Sequence, residues 1–94
     1  MPRFTKDIIR DDFKFSISET LCGSLAYVFY CRDTEVLKNN NYFPNEKAMT
    51  DENTMLKELV TIVVREEKLN IRSEVEKKFL ESDDFIKLKK LIAA

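Results

Sequence analysis

The chain has 94 residues, enough for one modest core, and its 44% hydrophobic content lets it bury enough apolar surface to offset chain entropy, which argues against disorder. Sixteen basic residues against 17 acidic leave a net charge of −1, so no global field points to nucleic acid or a membrane surface. The single Gly rules out a phosphate-binding P-loop or a dinucleotide fingerprint, and the absence of His removes the usual general base and the commonest metal ligand.

Residues 1–16 read as a mixed N-terminal arm. Thr5 is placed to cap a short turn over residues 6–10, and Phe13-Lys14-Phe15-Ser16-Ile17 alternates with the period of a strand. No signal peptide is expected, because Met1-Pro2-Arg3-Phe4 leads into charged residues.

Ser16-Ile17-Ser18-Glu19 matches a capping box, and beyond it Ile17, Leu21, Leu25, Val28 and Phe29 recur at helical spacing. This predicts a first helix, apolar nearly all round, ending before Arg32-Asp33. The competing reading is a β-hairpin over residues 13–31, with strands 13–21 and 25–31 turning at Cys22-Gly23-Ser24, since Tyr, Val and Phe favour strands. The helix is preferred.

Asn39-Asn40-Asn41-Tyr42-Phe43-Pro44-Asn45 opens an Asn-rich loop over residues 39–49, the one candidate internal boundary. Thr50 or Asp51 can cap a second helix reaching about Lys68, with Met55, Leu56, Leu59, Val60, Ile62 and Val63 on its apolar face. The β-branched run Val60-Thr61-Ile62-Val63-Val64 weakens that helix and leaves a strand open. Asn70 caps a third helix carrying Ile71, Val75 and Phe79. Ser82 caps a fourth that buries Phe85, Leu88, Leu91 and Ile92. The predicted fold is mainly α: residues 1–94 as a single domain, a bundle of about four helices with a partly extended arm. The alternative is an α+β fold with the hairpin at 13–31.

Catalysis has little material to work with. Cys22 and Cys31 have no activating base nearby, and both are expected to be buried thiols acting as small hydrophobes. Glu66-Glu67, Glu74/Glu76 and Asp83-Asp84 read as solvated faces and helix starts rather than paired catalytic carboxylates. No catalytic residue, cofactor or metal ligand is assigned, and the protein is expected not to be an enzyme.

The residues best permit protein–protein binding. Tyr27 and Tyr30 on the second face of the first helix, and Tyr42 and Phe43 in the Asn loop, are the candidate contacts, because aromatic side chains dominate binding hot spots. The reading is a stoichiometric inhibitor, adaptor or regulator in the cytoplasm, a class that includes viral or phage inhibitors of a host or defence complex. A homodimer is also open to it. The rival reading takes residues 56–92 as a helix-turn-helix-like nucleic-acid regulator, with Arg72, Lys77, Lys78, Lys87, Lys89 and Lys90 on phosphates. Glu74, Glu76 and Glu81 on the would-be recognition helix argue against it. The stretch LKELVTIVVREEKLNIRSEVEKKFLES resembles small dimerising helical modules of the LisH type over under a third of the chain, without a diagnostic motif, and no residue role is carried over from it. The ending Leu91-Ile92-Ala93-Ala94 looks like the Ala-Ala ends read by bacterial tail-specific proteolysis.

Overall fold

The computed structural model describes residues 4–68 and 73–93. Four strands, β1 (Thr5–Arg10), β2 (Phe13–Glu19), β3 (Leu25–Cys31) and β4 (Thr34–Tyr42), are followed by four helices, α1 (Glu46–Thr50), α2 (Glu52–Arg65), α3 (Glu74–Leu80) and α4 (Asp83–Lys90). The fold is α+β. The chain divides into two compact units, Met1–Pro44 holding the strands and Asn45–Ala94 holding the helices.

In the first unit the strands form one antiparallel meander in the order β1-β2-β3-β4. Burial follows a strict period of two: Phe13, Phe15 and Ile17 of β2 and Leu25, Tyr27, Phe29 and Cys31 of β3 are buried, while their neighbours are not. The register puts Phe15 opposite Phe29 and Ile17 opposite Tyr27. Five rings then touch in sequence across this face. Phe13 lies 6.0 Å from Phe29, Phe29 is stacked at 4.7 Å on Phe15, Phe15 is 6.2 Å from Tyr27, and Tyr27 meets Tyr42 edge-on at 6.1 Å. Such pairs add about 0.5–1.5 kcal/mol each beyond the area they bury.

The predicted mainly-α bundle is therefore wrong in its first half. Residues 17–31 are not a helix, residues 5–10 are strand β1 rather than a turn capped by Thr5, the alternation at 13–17 belongs to β2, and residues 39–42 belong to β4 rather than to an Asn-rich loop, which shrinks to residues 43–45. Residues 13–31 form a hairpin, the arrangement weighed second. Two features conceal it in the sequence. The outward positions of β3 are Ala26, Val28 and Tyr30, so its alternation is masked by a continuous apolar run. The two tight turns also lack glycine: Asp11 and Arg32 take up positive φ, at 51° and 57°. An ion pair at 3.6 Å and the bond donated by Arg32 N–H to the Asp12 carbonyl tie those two turns together. The Ser16–Glu19 capping box caps nothing. Glu19 serves the sheet margin instead, its carboxylate accepting from Phe4 N–H at 3.2 Å. β4 pairs with β3 through two register shifts, one between Leu25 and Tyr27 and one between Phe29 and Tyr30.

The helices of the second unit begin where short polar side chains can take up free N–H groups. Asn45 Oδ1 accepts from Ala48 N–H at 2.9 Å to start α1. Asp51 ends α1 and caps α2, accepting from Asn53 N–H at 3.2 Å and the Thr54 hydroxyl at 2.6 Å. Despite its β-branched run, α2 is helical throughout, with Met55, Leu56, Leu59, Val60 and Val63 buried along one stripe. Burial of that stripe outweighs a propensity deficit of a few tenths of a kcal/mol per residue. Ser73, not Asn70, caps α3, accepting from Glu76 N–H at 3.1 Å; Asn70 and Ile71 lie outside the described residues. Ser82 stands at the N-cap of α4, but its hydroxyl donates back to the Phe79 carbonyl at 2.7 Å. Phe79 and Phe85 meet edge-on at 5.9 Å, with Leu80 and Leu88 buried beside them in sequence. Leu91 and Ile92 are only half-buried.

Candidate functional site

The four aromatic residues singled out from sequence fall into two groups. Tyr27 and Tyr42 are core, 1% and 4% exposed, and stack edge-on with each other. Tyr30 is half-buried on the opposite face of the sheet, where the Lys14 ammonium sits 4.7 Å from its ring centre. Phe43 is 72% exposed, immediately beyond β4. Tyr30 and Phe43 are not brought together. Tyr30 lies beside the β3–β4 turn, whereas Phe43 follows Tyr42, which pairs with Leu25 at the other end of β3, about 17 Å away along the strand.

That second end carries a feature missed in the sequence reading. The β2–β3 connection, residues 20–24, presents Leu21 at 87% exposure. Since Leu25 pairs with Tyr42, Leu21 and Phe43 lie at the same end of the sheet. A helical reading counted Leu21 in the buried stripe; a large apolar residue two positions before the lone glycine was the available signal. The turn beneath it is firmly built. Thr20 N–H donates to the Ser24 carbonyl at 3.0 Å, the Thr20 and Ser24 hydroxyls are 2.8 Å apart, and Ser24, itself buried, donates to the Asn40 carbonyl at 2.9 Å. Gly23 closes the turn at φ +89°, a conformation that side chains with a Cβ rarely adopt.

Cys22 occupies this turn and is exposed, correcting the expectation that both thiols are buried; Cys31 is buried in β3. Hydrogen bonds from Thr20, at 3.3 Å, and then Ser24, at 3.7 Å, hold the Cys22 thiol below its ordinary pKa. No acid–base partner faces it among the groups bonded to it, only hydroxyls and backbone. Among the described residues no three His, Cys, Asp or Glu side chains converge to hold a metal, and no helix is long and apolar enough to cross a membrane.

The lysines of the nucleic-acid reading, Lys77, Lys78, Lys87, Lys89 and Lys90, are all exposed on α3 and α4, with Glu74, Glu81 and Asp83 exposed among them. Lys89 is partly engaged, its ammonium 4.5 Å from the Phe85 ring centre. Arg72 and Ala94 lie outside the described residues. No protein-family model, no curated protein and no solved structure matches the chain.

Proposed function

We propose that the protein acts without chemistry of its own, as a stoichiometric binder of another protein, through the end of the sheet that carries Leu21 and Phe43. The supporting observation is that two large apolar side chains stand mostly in water at one end of a sheet, Leu21 on a turn braced by buried Ser24 and Phe43 just beyond β4. A single exposed apolar residue means little; two at the same end of a sheet make that end costly to keep wet. Burying a Leu or Phe side chain against a partner yields about 1.5–3 kcal/mol, so each would strengthen binding about tenfold or more. A braced turn also loses little conformational entropy on docking. An inhibitor, adaptor or regulator fits this mode of action. The cytoplasm is the proposed compartment, because an exposed Cys22 thiol persists most readily where thiols are kept reduced.

The test is affinity capture from native lysate with the wild-type chain and with the Leu21→Asp/Phe43→Asp double variant side by side. A protein held in stoichiometric amount by the first and released by the second supports the reading. Equal retention by both, or no retained protein, overturns it.

A further inference from the structure

We infer that a second copy of this chain docks on the outer face of the sheet, through a two-fold contact pairing Asp7 of each copy with Lys38 of the other. The face differs from the end that carries Leu21 and Phe43, and the inference stands independently of that reading.

The register fixes what this face displays. Asp7 is opposite Ser16, Ser16 opposite Val28, and Val28 opposite Lys38, so these four side chains form one unbroken row across all four strands. The row alongside it runs Ile9, Lys14, Tyr30, Glu35 by the same pairings. Directly opposed residues share a face, and the buried residues occupy the other one. Asp7, Ile9, Glu35 and Lys38 are exposed, and the central positions Ser16 and Val28 are half-exposed. Asp7, Glu35 and Lys38 are each without an ion-pair partner among the described residues.

The first row is complementary to its own reverse. A two-fold axis parallel to the strands, midway between β2 and β3, lays β1 of one copy over β4 of the other and β2 over β3. Asp7 then faces Lys38 of the second copy, and the pair forms twice, as an isologous contact requires. In the centre Ser16 faces Val28, a small side chain making room for a branched one. In the other row Lys14 faces Tyr30 of the second copy, repeating between chains the ammonium–ring contact already made within each chain. Stacked sheets cross at about 30°, which moves the rim pairs by about one residue, within reach of a lysine stem. Ile9 faces Glu35 of the second copy and adds no attraction, and no like charges are opposed in either row.

The size of the face sets the strength. Four strands about 4.8 Å apart and three rows of outward residues cover on the order of 400 Å² per copy. A standard interface buries about 800 Å² per partner, so this contact is about half that size and weak. It forms where the chain is concentrated or held close to another copy.

Sedimentation equilibrium of the full chain, carried up to about 1 mM at low ionic strength, reads the dimer as a rise in average mass with concentration. The rise is expected for wild type, is lost in Asp7→Lys and in Lys38→Asp run separately, and returns when the two variants are mixed in equal amounts. Recovery on mixing shows that both variants remain folded. The Leu21→Asp/Phe43→Asp variant is expected to keep the rise. A monomer mass throughout for wild type, a rise indifferent to both charge reversals, no recovery on mixing, or loss of the rise in the Leu21/Phe43 variant would each overturn the inference.

Discussion

The two units hold themselves together in different ways. In the sheet unit five rings from β2, β3 and β4 touch in one chain across the buried face, with Phe29 and Phe15 in the middle. In the helical unit the buried residues are mainly aliphatic, strung along α2, and the helix starts are secured one at a time by Asn45, Asp51 and Ser73. A connected aromatic layer shares its loss: remove a central ring and every strand feels it. Capped helices localise theirs.

The largest expected effect tests that contrast directly. Phe29→Ala removes two ring contacts from a fully buried site and should cost about 3–5 kcal/mol in urea denaturation, with amide-exchange protection falling in all four strands. Leu59→Ala, equally buried in α2, should cost about 2–5 kcal/mol, with the loss of protection concentrated in the helical unit. Equal loss of protection everywhere for both variants would break the comparison.

Backbone conformation comes next in size, with opposite signs at two turns. Gly23→Ala meets no atom within 4 Å, so its cost of about 1–2 kcal/mol is purely that of holding φ at +89° with a Cβ. Asp11→Gly relieves the same kind of strain at φ 51° and should stabilise the sheet by up to about 1 kcal/mol. Thermal midpoints moving in the same direction for both would refute this account of the turns.

Smallest are the caps. Ser73→Ala should cost about 1 kcal/mol and loosen α3 alone in amide exchange. At Asp51 the Thr54 hydroxyl, foremost among the causes, holds the carboxylate below its usual pKa. A depressed folded-state pKa means stability that is complete above the unfolded value and lost as pH falls through the folded one. An acid titration should therefore show a small destabilising limb below about pH 4 that is absent in Asp51→Ala.

The helical half was largely legible because its signals are local. A cap at Asp51, an apolar stripe over residues 55–63 and acidic and basic ends around α4 each act within a turn or two. Where α3 begins was misread, Asn70 for Ser73, since both residues can cap. The sheet half resisted because its evidence is non-local. Phe13, Phe15 and Ile17 alternate plainly, but β3 hides its alternation behind Val28 and Tyr30, and Asp11-Asp12 and Arg32-Asp33 do not announce tight turns. The site suffered with it. Once residues 17–31 are read as a helix, Leu21 looks buried and Tyr27 looks available, the reverse of what the hairpin does with them.

The two register shifts in β4 have a bearing on how copies of this chain can meet. An outer strand with an even ladder offers its free N–H and C=O groups to any other chain, and growth from it has no natural end. Interrupted twice in nine residues, β4 presents those groups out of step, so an incoming strand cannot stay in register along it. Growth along that margin is frustrated, while a closed pairing across the flat of the sheet remains open. Irregularity at the rim thus removes the even ladder on which strand-by-strand growth into a fibre depends.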